Sequence, residues 1–450
     1  MGRANLDEAS LRYHNEPIPG KVALKLTKQC ETQEALSLAY TPGVAKPCNM
    51  IHENPQDVWK YTARGNLVAV VSDGTAVLGL GNIGPEAAMP VMEGKGVLFK
   101  RFADVDVFPI CIQDVFLDNG KSDPNKIIET VRRLEPTFGG INLEDIAAPA
   151  CFEIEQTLKK NLSIPVFHDD QHGTAIISLA GVINALKIVG KKIEDCKFVV
   201  NGAGAAGIAC AEYYIKAGAK RENFVMCDSK GVLDKSRENL NPEKQRFADA
   251  ACTSAKTLKE AMVDADIFVG VSVAGCVTKD MVRSMAKDPI IFPMANPTPE
   301  IFPDEAIEAG AAVVGTGRSD FANQVNNVLG FPGIFRGALD TRATDINVEM
   351  YLGASKALAD IASEKLPEDI YKILSNAYPE DAKSGMFDGD KPLHNSYVIP
   401  KPFDPRVVPR VARNVAEAAM KTGVAQIKIE DLDAYEQQVA ERIKNLLKTL

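Results

Sequence analysis

The chain has 450 residues, 46% apolar and 25% charged, too long for one ordinary domain and too hydrophobic for disorder, so two or three packed domains are expected. With 60 Asp and Glu against 51 Lys and Arg the net charge is -9, which argues against a nucleic-acid partner because the field of the molecule repels phosphate; an anionic substrate needs a local cationic or metal site. Nine cysteines without a C-x-x-C pair argue against a disulfide framework and favour a reducing, cytoplasmic setting.

The N-terminus, MGRANLDEASLRYHNEP, has acids close behind its first basic residue and no apolar run, so it does not read as a secretory signal. No window reads as the roughly 18 apolar residues of a membrane span, and no membrane partner is expected. From Leu67, LVAVVSDGTAVLGLG reads as two β-branched runs joined by Asp73-Gly74, a hairpin signal. Glu86 to Glu93 reads as a helix interrupted by Pro90, Val105 to Ile112 as a buried strand, Lys126 to Leu134 as a helix and FGGIN as a short strand. Residues 1–165 are therefore expected to form a mixed α/β domain.

After Pro165 the alternation is cleaner. A helix from Thr174 to Val189 precedes a strand from Lys197 to Val200 and a helix from Gly207 to Ala217. Strands follow at Asn223 to Cys227, Ile267 to Val271, Ile290 to Pro293 and Ala312 to Gly315. Strands separated by helical stretches pair in parallel, so residues 166–400 are expected to form a Rossmann-like, doubly wound dinucleotide-binding domain. The Pro-rich stretch VIPKPFDPRVVP closes it. Residues 401–450 are expected to be helical, with the amphipathic tail from Glu430 packing back on the body or on a second subunit, or standing as a solvated face.

The pattern G-x-G-x-x-G occurs twice, at Gly79 to Gly84 and at Gly202-Ala-Gly204-Ala205-Ala-Gly207. The second follows an apolar strand, opens an Ala-rich helix and precedes a strand ending in Asp228, which makes it the cofactor loop. Asp228 then bonds the ribose and repels a 2′-phosphate, which favours NAD, while Lys230 two residues on could reverse this by pairing with that phosphate. The first match runs into Pro85 and a broken helix, a poor dinucleotide cradle whose backbone N–H groups could face a substrate carboxylate.

Two places carry adjacent acids in apolar surroundings, Glu144-Asp145 in INLEDIAAPA and Asp169-Asp170 in IPVFHDDQHGTA. Adjacent carboxylates repel and are costly to bury, so a divalent cation or a nearby base is the natural compensation, with a helix cap or surface turn as the plain alternative for either pair. Oxygen donors suit Mg²⁺ or Mn²⁺; His168 and His172 read as polar supports, since two histidines do not complete a zinc shell. Lys95 lies between glycines in an apolar stretch, where a lowered pKa makes it a base. Tyr40, before a Thr-Pro-Gly turn, reads by itself as a core or cap tyrosine. Asn296 and Asn326-Asn327 lie at strand exits, where amides form turns or donate to ligands.

Together the segments LAYTPGVA, VVSDGTAVLGLGNIGPEAAMPVMEGK, INLEDIAAPACFEIE, FHDDQHGTA, NGAGAAG, ANPTPE and NNVLGFPGIFRGAL resemble malic enzymes, especially the shorter bacterial-type ones. The resemblance implies oxidative decarboxylation of (S)-malate to pyruvate and CO₂ with NAD or NADP and Mg²⁺ or Mn²⁺. It implies Tyr40 as general acid, Lys95 as general base, Asp169 as the acid supporting Lys95, Glu144, Asp145 and Asp170 as metal ligands, and Asn296 and Asn327 as nicotinamide or substrate contacts. A homodimer is expected, with Tyr40 on an N-terminal arm that can reach a neighbouring active site. One departure is Ala76, which stands where the longer eukaryotic-type enzymes carry an Arg, so the carboxylate clamp must differ. Two other readings stay open: a metal-independent dehydrogenase without CO₂ release, and a dinucleotide-sensing module without turnover.

Overall fold

The computed structural model describes residues 3–389 and 393–448. Its first sheet holds β1 (Leu67–Ser72), β2 (Asp106–Cys111), β3 (Gly140–Leu143) and β4 (Val166–His168), all parallel, in the order β2-β1-β3-β4. The second holds β5 (Phe198–Asn201), β6 (Phe224–Asp228), β7 (Gly231–Val232), β8 (Ile267–Gly270), β9 (Ile290–Pro293) and β10 (Val313–Val314), in the order β10-β9-β8-β5-β6-β7. Only the two-residue β7 runs antiparallel to its neighbour. The chain leaves β5 toward β6 on one side and returns to β8 on the other, so the carboxyl end of β5 is a topological switch point, where open α/β sheets bind ligands.

The Asp73-Gly74 hairpin does not form. All six residues of β1 are buried and pair in parallel with β2 and β3, because a near-continuous apolar run marks a strand covered on both faces. After it, residues 73–84 form a loop with one isolated bridge, Val77 to Gly81. Nor does Pro90 break the following helix, which runs unbroken from Pro85 to Ala103. Pro90 faces outward, while Ala88, Met92, Gly96, Phe99 and Ala103 form a buried stripe on the other face; that burial outweighs the lost backbone hydrogen bond. Lys95 is therefore in the body of a helix and not in a loop after one.

The first sheet takes in Val166–His168 as its edge strand, three residues past Pro165. The helix after it spans Asp169–Val189, five residues earlier than its apolar pattern suggested, which puts Asp169 and Asp170 in its first turn. It is long and apolar enough to cross a membrane, contrary to the reading of the sequence, but 72% of its most apolar window is buried inside the protein, as in a core helix.

The helices Phe331–Asp340, Val348–Ser363 and Val407–Lys421 complete a core shared by both sheets. Phe331 and Phe335 pack on Phe99 of the first region at 4.7 and 5.1 Å, and Arg336, fully buried, donates to Asn66 Oδ1 at 2.7 Å. The last helix, Leu432–Leu447, packs back on the body through buried Tyr435 and Val439 and through ion pairs of Glu436 with Arg410 and of Arg442 with Asp104.

Candidate active site

Glu144 and Asp145 follow β3 directly, and Asp169 and Asp170 follow β4, so parallel pairing of the two strands brings both acid pairs to one sheet edge. Asp145 has φ 54°, the left-handed region, and its N–H donates to Asp170 Oδ2 at 2.7 Å. One carboxylate oxygen from each of Glu144, Asp145 and Asp170 lies within 4.8 Å of the others. Burial, together with repulsion from Asp170, Asp169 and Asp145, raises the Glu144 pKa well above its ordinary value despite Lys95. Asp170 is held low: burial opposes this, but His168 and Lys95 outweigh it. Three convergent carboxylates, two of them buried, fit an oxygen-loving divalent cation, which relieves their repulsion.

Lys95 reaches this edge from its own helix. Its Nζ lies 2.7 Å from Asp169 Oδ2 and 2.8 Å from Glu144 Oε1, over the Phe331 ring at 4.5 Å. Burial pulls its pKa down, as expected from the apolar setting, but the two carboxylates more than reverse this and hold it above the ordinary lysine value. Asn327 Nδ2 donates to Asp169 Oδ2 at 3.0 Å, joining the same group. Gly173 makes room: a Cβ there would lie 2.5 Å from Asp169 Oδ1 and 2.6 Å from the Asn327 amide.

His172 is engaged away from the cluster, whereas His168 stands against one of its acids. His172 Nε2 faces Glu155 at 2.8 and 2.9 Å, its Nδ1 meets the Tyr213 hydroxyl at 2.5 Å, and its ring stacks on Tyr351. His168 Nε2 stands 3.5 Å from Asp170 Oδ2.

Tyr40 is not brought to this cluster within one chain. It ends the Gln33–Ala39 helix and is 71% exposed. Ala76 stands beside Asp145 and donates its N–H to the Asp145 carbonyl at 2.9 Å.

At the switch point, Gly202, Gly204, Ala205 and Gly207 join β5 to the helix Ala205–Lys216. A Cβ on Gly202, at φ 113°, would lie 2.4 Å from the Val271 carbonyl oxygen, and one on Gly207 would lie 1.8 Å from that of Gly202; at Gly204 there is open space. These are the demands of a tight turn, close helix packing and an open approach for a ligand. Gly202 and Gly204 face a cavity of about 820 Å³ that also reaches Asp228, Lys230, Lys244 and Lys256.

Asp228 is tied to cations. Arg237 Nη2 donates to its two oxygens at 3.1 and 3.0 Å, and Lys244 Nζ is 3.3 Å away. Burial opposes ionisation, but Arg237, the Lys230 N–H and Lys244 hold its pKa low. Arg237 and Lys244 were not legible as site residues, because nothing local in the sequence shows that their segment folds back on β6. Asn296, at the exit of β9, is exposed and meets the first glycine-rich loop: a Cβ on Gly79 would lie 3.1 Å from the Asn296 carbonyl oxygen.

The family model for the malic enzyme N-terminal domain matches residues 19–159, and that for the malic enzyme NAD-binding domain matches residues 171–378. The chain is 54% identical over 445 residues to a bifunctional malic/malolactic enzyme of Bacillus subtilis, covering 98% of each. It is 52% identical to an NADP-dependent malic enzyme of Haemophilus influenzae, over 97% of this chain but only 55% of that longer protein. Among solved structures, the malic enzyme of Pyrococcus horikoshii superposes with a TM-score of 0.86 at 43% identity, over 98% of this chain and 96% of that one. With both domains matched and a full-length relative above half identity, the chain belongs to the malic enzyme family.

Proposed function

We propose that the chain converts (S)-malate to pyruvate and CO₂ while reducing NAD(P), with Lys95 and the acid triad as its reaction centre. The observation that carries this reading is the placement of one buried amine between Asp169 and Glu144, beside three convergent carboxylates. A simple dehydrogenase needs a base; β-decarboxylation needs an electron sink and an acid as well.

Glu144, Asp145 and Asp170 would hold Mg²⁺ or Mn²⁺, which when bound supplies Lewis-acid stabilisation of charge on the substrate C2 oxygen, as the nicotinamide supplies the hydride acceptor. Burial of Lys95 favours the neutral amine that a base requires, Asp169 and Glu144 oppose it, and a cation on Glu144 would weaken that opposition. Lys95 takes the proton of the C2 hydroxyl. Asp169, itself bonded to Asn327, fixes the amine in place. Tyr40 of a second copy returns a proton to C3 of the enol. The N-terminal arm supports that arrangement: Leu24, Leu26, Leu38 and Tyr40 are all more than two-thirds exposed, an apolar series that a homodimer would cover.

The preferred nucleotide in this reading is NADP. Arg237 takes up the charge of Asp228, which otherwise repels a 2′-phosphate, and Lys230, Lys244 and Lys256 line the cavity around it. A cytoplasmic setting belongs to the same reading and rests on the cysteine spacing.

The test is a coupled assay of reduced nucleotide and CO₂ from malate, with and without divalent metal. Equal amounts of both, only with metal, are expected. Metal-independent reduction without CO₂ would instead make the chain a simple dehydrogenase, and nucleotide binding without turnover a sensor.

A further inference from the structure

We propose that Asp73 is a positioning residue for the acid triad, bracing through the Thr75 hydroxyl the loop that carries Asp145 against the start of the helix that carries Lys95. The proposal rests on the metal-binding reading above. Asp73 follows β1 and is fully buried, and among the described residues no cation pairs with it. Its Oδ1 accepts from the Thr75 N–H at 3.1 Å and from the Thr75 hydroxyl at 2.7 Å, and its Oδ2 accepts from the Ser122 hydroxyl at 2.5 Å.

The direction of these bonds matters. Because the Thr75 hydroxyl gives its proton to Asp73, its oxygen is left as an acceptor, and it takes the Ala147 N–H at 2.9 Å. The next residue, Ala76, donates to the Asp145 carbonyl at 2.9 Å. Asp145 holds φ 54°, a region that non-glycine residues seldom adopt and that needs surrounding structure to keep it. Residues 73–76 therefore grip the segment at Asp145 and again at Ala147.

The same turn also sets the other half of the site. The Gly74 carbonyl accepts from the N–H groups of Ile83 and Gly84 at 3.1 and 3.2 Å, and a Cβ on Gly74 would lie 2.2 Å from the Gly84 carbonyl oxygen. Gly84 is the N-cap of the Pro85–Ala103 helix. A carboxylate makes stronger hydrogen bonds than a neutral acceptor, which accounts for an acid at a buried position where three donors converge. Partners that orient metal ligands commonly contribute about 10- to 100-fold in metal affinity.

The test measures Mn²⁺ binding to the full-length protein without malate, with free Mn²⁺ followed by electron paramagnetic resonance and NADPH binding by fluorescence. Thr75→Val removes the relaying hydroxyl and Thr75→Ser restores it. The expected result is Mn²⁺ affinity weaker by about 10- to 100-fold in Thr75→Val and close to wild type in Thr75→Ser, with NADPH affinity unchanged in both. A folded Thr75→Val that binds Mn²⁺ within twofold of wild type overturns the positioning role alone. If Thr75→Val does not fold, Ser122→Ala, which removes one bond to Asp73, decides: at least threefold weaker Mn²⁺ binding supports the role and unchanged binding overturns it. Wild-type protein that binds no Mn²⁺ overturns the metal-binding reading and this proposal with it.

Discussion

The Lys95 amine and the Asp169 carboxylate, 74 residues apart in the chain, meet at 2.7 Å in a buried site, and Asn327 binds the same carboxylate oxygen at 3.0 Å. Lys95→Ala should therefore lose malate oxidation by about two to four orders of magnitude, the usual size of an acid–base contribution. Asp169→Asn keeps the amine but removes the charged anchor, so a smaller loss, in kcat more than in KM for malate, is expected from steady-state kinetics. A Lys95→Ala enzyme retaining a tenth of wild-type kcat would remove Lys95 from the role of base.

Tyr40 stands 71% exposed on its own chain, and in the proposed reading it acts in the site of a second copy. Tyr40→Phe should impair protonation of the enol and leave thermal stability unchanged. Mixed dimers of Tyr40→Phe and Lys95→Ala chains should regain activity above either parent, since one of their two sites has both wild-type groups. Absence of any rescue in such mixtures counts against action across the dimer.

Glu144, Asp145 and Asp170 should share one cation on which turnover depends. Asp170→Asn removes a direct ligand, so its Mn²⁺ affinity should fall by more than the roughly 10- to 100-fold typical of outer partners, while circular dichroism and nucleotide binding stay near wild type. Exhaustively chelated protein that still released CO₂ at the full rate would contradict a metal-dependent site.

Lys244 lines the cavity beside the Gly202–Gly207 turn and lies 3.3 Å from Asp228. Lys244→Ala should lower kcat/KM for NADP by about 10- to 100-fold, as for one charge-assisted hydrogen bond, and change that for NAD by much less. Equal losses with both nucleotides would mean that Lys244 holds the fold of the cavity and does not read the 2′-phosphate.

Stability should fall in acid through the buried Glu155–His172 pair. Burial pushes the Glu155 pKa up, but His172 and Lys159 outweigh it and bring it from 4.5 to about 2. For an acid with a depressed native pKa, the stabilisation is complete above its ordinary range and is lost as pH falls from there through about 2. Burial also lowers the His172 pKa below 6.5, so proton uptake on acidification favours the unfolded chain, a destabilisation with the same sign. Glu155→Gln should lower the unfolding free energy at pH 7 by about 1–3 kcal/mol, and calorimetry should find the gap to wild type narrowing toward pH 2.

Much of the protein is local, and the sequence by itself determined that part. The apolar runs of β5, β6, β8 and β9, the glycines at 202, 204 and 207, and the two adjacent acid pairs are each written within a few residues, since side-chain period, turn geometry and charge repulsion act over that range. The motifs containing Tyr40, Lys95 and Asn327 likewise made the family legible. Tertiary structure decided the rest because the forces involved join residues far apart. Burial of one face carries the Pro85–Ala103 helix through Pro90. Parallel pairing on both sides of β1 turns the Asp73-Gly74 hairpin signal into a loop beside Asp145. Two carboxylates from other elements reverse the pKa shift that burial alone gives Lys95, and Arg237 offsets the charge of Asp228. Each is a sum of long-range burial and Coulomb energies whose sign depends on which neighbours the fold supplies.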